Sequence, residues 1–125
     1  MVAICGYTRV GSMDELFSLF ESSELPLHVI AGGTDLLTKV DGNSANRVAV
    51  ADISELDDLI GIRVAEDGAS IGAATKLADI EDSDLLSGAW GLLAEAAGRV
   101  GSRQIRNLGT VGGNLCNASP CADTA

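Results

Sequence analysis

Two stretches of this chain carry residue types arranged for ligand chemistry. They are "AGGTD", Ala31 to Asp35, and "GTVGGN", Gly109 to Asn114. Each sets adjacent glycines beside a threonine. Glycine has no Cβ, so a ligand can come close to the backbone and successive N–H groups can converge on one anion. A helix starting at Thr34 would add free amides and a partial positive charge at the same spot. The Thr110 hydroxyl and the Asn114 amide are uncharged donors. Two neutral donor loops suit a charge spread along a pyrophosphate better than a single phosphate. Asp35 would repel a phosphate, so it reads as a helix-start residue or as an acceptor for a sugar hydroxyl. A Gly-Gly after a strand also reads as a plain tight turn. Neither G-x-G-x-x-G after a strand nor a glycine loop ending in Lys-Ser or Lys-Thr occurs.

The other reactive side chains point to no catalytic group. Cys116 and Cys121 resemble the opening of an iron–sulfur motif, but four thiolates are normally needed and the chain has 3 cysteines. They read as free thiols, and no metal site is predicted. His28 lies in an apolar strand without a triad partner and reads as a satisfied or edge histidine. Trp90 reads as core. Arg103 and Arg106 flank "QI" before the second glycine stretch, where they suit either the pyrophosphate or nearby acids.

The elements that must position these loops follow from periodicity. Ser12 and Glu15 form a capping-box pattern, and Met13, Leu16, Phe17, Leu19 and Phe20 recur at helical spacing. "LHVIAGG" reads as a short strand ending in glycines, "TDLLTKV" as a helix start, "DGNSANR" as a turn and "VAVADI" as a second strand, together a βαβ-like unit. "GIRVAEDGASIGAAT" predicts a hairpin joined at Asp67-Gly68. "TKLADI" and "SDLLSGAWGLLAEAAGRVG" are predicted helices, the latter with Gly98 and Gly101 as C-caps. The composition shifts between Ala51 and Leu56, which divides the chain into subdomains 1–52 and 53–125 of mixed α+β class.

A length of 125 residues is enough for one modest core, built from aliphatic residues because aromatics make up only 3%. With 8 basic residues against 18 acidic ones, the net charge of −10 disfavours nucleic acid and anionic lipid. No apolar run approaches the length of a membrane span, and "MVAICGYTRV" lacks a signal-peptide layout. These features, with the odd cysteine number, predict a cytoplasmic protein.

Taken in order, "RVGSMDELF", "AGGTDLL", "EDGASIGAATKLADI" and "QIRNLGTVGGNLCNASPCADTA" resemble the FAD-binding subunit of the molybdenum hydroxylases, which include xanthine dehydrogenase and carbon monoxide dehydrogenase. The resemblance covers essentially the whole chain. It implies a two-subdomain FAD-binding fold of the PCMH type, with a βαβ-like first subdomain and part of a second, antiparallel α/β subdomain. It implies that Ile30, Ala31, Gly32, Gly33, Thr34 and Asp35 line the pyrophosphate on one side. Thr110, Val111, Gly112, Gly113 and Asn114 would line it on the other, and Asp123 would meet the flavin, with Asn117 and Ser119 nearby. The implied partners are a molybdopterin-binding large subunit and a 2Fe-2S small subunit, which pass electrons to FAD and on to NAD or another acceptor. Xanthine or another N-heterocycle is the implied substrate. In that family the second glycine segment leads into further strands, so the resemblance makes this chain an N-terminal fragment or half of a subunit split over two polypeptides, and implies weak or no FAD binding by this part alone. Two other readings stand beside it: an assembly piece without cofactor, and a flavoprotein of the vanillyl-alcohol oxidase type.

Overall fold

In the computed structural model, which describes residues 1–118 and Thr124, the first element is a strand, β1, over Ala3–Arg9. Its sequence reads only as a short apolar patch. The strand is visible in space because its residues alternate in exposure and all but Cys5 pair with β3, Arg47–Asp52. A register shift between Ile4 and Gly6 leaves Cys5 without a partner on β3.

Between β1 and β2 (Leu27–Ile30) runs helix α1, Met13–Ser22. The Glu15 amide donates to the Ser12 hydroxyl at 3.1 Å, and the Glu15 carboxylate accepts from the Gly11 amide at 2.7 Å. The box therefore closes on the residue before the cap. Leu16 is buried and Met13 and Leu19 pack beside it, but Phe17 and Phe20 lie on the exposed flank, so the apolar face is narrower than predicted. The strands are parallel in the order β1-β3-β2. The βαβ unit is thus β1-α1-β2, and β3 enters between its strands.

"TDLLTKV" forms no α-helix. Only a 3-10 turn at Leu37–Lys39 follows a turn at Thr34. The chain has to return to β1, where the Val2 amide donates to the Lys39 carbonyl at 2.9 Å and the Asp41 amide to the Val2 carbonyl at 2.8 Å. That tether leaves no room for further helical turns.

The hairpin is present as β4 (Ile62–Ala65) and β5 (Gly68–Ile71), closing over Glu66 and Asp67, so Gly68 begins the second strand instead of sitting in the turn. Helix α2 spans Leu77–Glu81 and α3 spans Gly91–Arg99. The predicted helix from Ser83 starts later than expected because Gly88, at φ +57, turns the chain into a 3-10 segment at Gly88–Trp90. Gly98 lies inside α3, where a Cβ would stand 3.1 Å from Glu81 Oε1, and Gly101, at φ +50, follows the helix. Two short helices complete the described fold, α4 (Arg103–Arg106) and α5 (Val111–Asn117).

Buried side chains form two clusters. Val10, Leu16, Ala51, Ile53 and Leu56 centre the first, and Leu77, Ile80, Leu86, Ala97 and Val111 the second. Ile53 and Leu56, placed by sequence in the second subdomain, pack with the first cluster. Trp90 is 40% exposed and outside both. Among the described residues no helix is long and apolar enough to cross a membrane. The mixed α/β class is as predicted.

Candidate cofactor cleft

The two glycine segments meet. Gly32 passes so close to the chain before α5 that a Cβ on it would stand 2.0 Å from the Leu108 carbonyl oxygen and 2.8 Å from Gly109 Cα. Real side chains do not survive such distances, so this backbone crossing requires glycine. Gly33 adopts φ +69, which also favours glycine. Around this crossing lies a cleft of about 590 Å³, within the ~300–1,000 Å³ usual for small-molecule and cofactor sites. Ile30 through Asp35 all line it from one side, and Thr110, Gly113 and Asn114 line it from the other. Nine of the predicted site residues therefore share one cavity. Val111 and Gly112 do not line it, and Asp123, with Ser119 and Cys121, lies outside the described residues.

The two walls differ in donor chemistry. Among the described residues, the amides of Ala31 to Leu36 make no hydrogen bond within the chain. Backbone donors near the surface normally find a partner, so this loop holds a row of N–H groups available to a ligand. On the other side the amides of Val111 to Gly113 are engaged. The Val111 amide donates to the Thr75 carbonyl at 3.1 Å and the Gly112 amide to the Ala73 carbonyl at 2.9 Å. The Gly113 amide donates to the Thr110 hydroxyl at 3.2 Å. The stretch predicted as a second glycine loop is thus the capped first turn of α5. Gly112 serves packing: a Cβ there would meet the Ala73 oxygen at 2.6 Å.

Charge in the cleft is nearly balanced. Asp35, predicted for a helix start or a sugar hydroxyl, pairs with Lys39 at 2.5 Å, and both line the cavity. Lys39 escaped sequence reading; its only signal was the spacing of four from Asp35. Arg103 and Arg106 turn away from the cleft to Glu81 and Asp82. The Asp82 carboxyl is held below its usual value first by the hydrogen bonds from Arg103. His28 lines the cleft from β2, an edge strand. Cys5 and Cys116 are exposed free thiols, and no group of three metal-ligating side chains occurs among the described residues.

At the carboxyl end of the sheet, Asp52 is 7% exposed and in register with Arg9 and Ile30. Burial pushes its carboxyl up, but donation by the Tyr7 hydroxyl and by Ser54, with the Arg9 guanidinium at 3.6 Å, holds it below the usual carboxylate range. Ligands of open parallel sheets gather at this end of the strands. Here the first glycine loop leaves it directly after Ile30.

A glycine-lined cleft with a row of free amides, fed by a parallel sheet, defines a nucleotide-cofactor domain. The free amides and the Cβ-free crossing fit a diphosphate, whose oxygens accept several N–H bonds at once. Residues 3–125 match the family described as the FAD binding domain in molybdopterin dehydrogenase. The nicotinate dehydrogenase FAD-subunit of Eubacterium barkeri is 40% identical over 105 residues, covering 84% of this chain and 36% of the relative. The xanthine dehydrogenase FAD-binding subunit of Escherichia coli O157:H7 is 32% identical over 126 residues, covering 100% of this chain and 43% of the relative. Among solved structures, a Cu,Mo-CO dehydrogenase in its cyanide-inactivated form superimposes with a TM-score of 0.86 at 28% identity, covering 98% of this chain and 43% of that one. The chain belongs to the FAD-binding domain family of the molybdopterin dehydrogenases, and it spans about two fifths of the length of these relatives.

Proposed function

We propose that this chain holds the diphosphate of FAD in the cleft between its two glycine segments, with the first segment as the donor and the second as the wall. The observation that carries this reading is the row of unengaged amides from Ala31 to Leu36, in residues that share a cleft with a second segment whose first-turn amides are already used. The Thr34 hydroxyl adds a donor to the first wall. On the second, Asn114 offers its side-chain amide nitrogen, since its oxygen already accepts from Thr124. Val111 and Gly112 act by holding that wall in place, and Asp123 contacts the flavin, as the family resemblance implies. FAD supplies the redox chemistry; the residues of this chain bind it, orient it and keep the surrounding charge low.

On the same reading the complete assembly is an oxidoreductase. A large subunit binds molybdopterin, a small subunit carries 2Fe-2S clusters, and FAD delivers electrons to NAD or another acceptor. Xanthine or a related N-heterocycle is the proposed substrate class, and the cytoplasm the proposed compartment. The two subdomains, proposed as 1–52 and 53–125, meet at the cleft, and the rest of the flavin site would come from chain beyond residue 125, on the same or a second polypeptide.

Parallel titrations with FAD and riboflavin test the diphosphate assignment. Riboflavin keeps the flavin ring and lacks both phosphates. FAD is expected to bind at least about tenfold more tightly, the worth of one or two hydrogen bonds to a charged group. Equal affinities, or tighter riboflavin binding, would contradict the reading.

A further inference from the structure

Arg106 is the least exposed cation with an ion pair in the described structure, its side chain only 13% exposed. Its Nε donates to Glu81 Oε2 at 2.8 Å and its Nη2 to Glu81 Oε1 at 3.3 Å, a two-point fork. The remaining Nη1 donates to the Val100 and Gly101 carbonyls, both at 3.3 Å. One side chain thus fastens the end of α2 to the exit of α3 and to α4. Glu81 is confined in turn, since Gly98 of α3 leaves only 3.1 Å for a Cβ beside its carboxylate.

What lies downstream of Arg106 is the second wall of the cleft. The neighbouring Ile105 carbonyl accepts the Gly109 amide at 2.7 Å, and the Gly109 carbonyl accepts the Leu77 amide at 2.9 Å. Between these bonds Leu108 presents the oxygen that crosses Gly32. An error in the placement of α4 therefore passes directly to Leu108, Gly109 and Thr110. Arg103 also reaches Glu81 and Asp82, but from a side chain 47% exposed, where an ion pair is worth little.

We propose that Glu81 and Arg106 form a positioning pair that sets where the Leu108–Thr110 wall stands against the first glycine loop. Neither side chain lines the cleft. This inference rests on the flavin reading for its consequence, but its geometry is testable without flavin.

The test uses the full chain with Arg106→Gln, the milder Arg106→Lys, and Arg99→Gln as a control that breaks only the exposed pair with Glu95. Without ligand, amide hydrogen exchange at Gly109 and Leu77 is expected to speed up about tenfold or more in Arg106→Gln, the change for losing one charge-assisted bond. Exchange in β3 is expected to stay as in the unmodified chain. Arg106→Lys, which keeps the charge but cannot grip Glu81 and two carbonyls together, is expected to fall between. FAD affinity is expected to drop in the same order, with Arg99→Gln unchanged. Unchanged exchange at Gly109 and Leu77 in Arg106→Gln would overturn the inference, as would acceleration spread evenly through β3. Localised acceleration with no FAD binding by the unmodified chain would uphold the positioning pair and count against the flavin reading instead.

Discussion

At the scale of single residues, the glycines divide by what forbids a side chain. Gly32 is fixed by the Leu108 oxygen 2.0 Å from its would-be Cβ, a contact with a rigid backbone group. Gly32→Ala is expected to cost about 1–3 kcal/mol, the usual penalty of overpacking, and to open the crossing that forms the cleft. Urea denaturation checks the loss, and a variant as stable as the original would show that the crossing yields. Asp52 offers a second handle. Its folded-state carboxyl titrates below the ordinary 3.8, so the unfolded chain takes up the proton first. The stability it contributes is complete above that ordinary value and is lost as pH falls through the depressed one. Asp52→Asn should therefore flatten the acid limb of a stability profile measured between about pH 2 and 6, while an acid limb as steep as the original would assign the loss to other carboxylates. Sequence reading found the glycines because the missing Cβ is written in the residue type. It could not tell Gly112, which serves Ala73, from Gly33, which serves a left-handed turn, since each reason lies in a neighbour or an angle set by the fold.

At the scale of elements, local signals were legible where they acted alone. The Ser12 and Glu15 cap, the strands at Leu27–Ile30 and Arg47–Asp52, and the hairpin all follow from residue order. At two places tertiary bonds outweighed local preference. Val111–Asn117 contains two glycines and has poor helix propensity, but Thr110 caps it and Thr75 and Ala73 accept its first amides. The 3-10 turn at Leu37–Lys39 is cut short by the tether to Val2. The α5 cap is therefore a matter of fold as well as site. Thr110→Ala is expected to destabilise the chain by about 0.5–2 kcal/mol. The Gly113 amide would be freed, and its hydrogen exchange should accelerate more than that of the Glu15 amide at the start of α1. Equal acceleration at both would show general loosening instead of a lost cap.

At the scale of the whole molecule, a chain of net charge −10 is expected to bind an anionic cofactor. The resolution lies in which donors do the work. The proposed first wall offers neutral amides and a hydroxyl, and the cleft's Lys39 is matched by Asp35. The short-range bonds attract and the long-range field repels. Salt screens the second without touching the first, with a Debye length of about 10 Å at 0.1 M. FAD affinity should therefore hold or rise as salt increases from about 20 to 200 mM, opposite to a site built on lysines and arginines. A fall in affinity, followed by fluorescence titration, would mean that cations such as Lys39 carry the binding.

If FAD sits between the two glycine segments, amide chemical-shift mapping of the labelled chain during an FAD titration will register it residue by residue, even where binding is weak. The largest shifts are expected at the free amides of Ala31 to Asp35, with smaller ones at Gly113 and Asn114 and little change along α1. Shifts centred elsewhere, or a spectrum that stays unchanged at millimolar FAD, would contradict that placement.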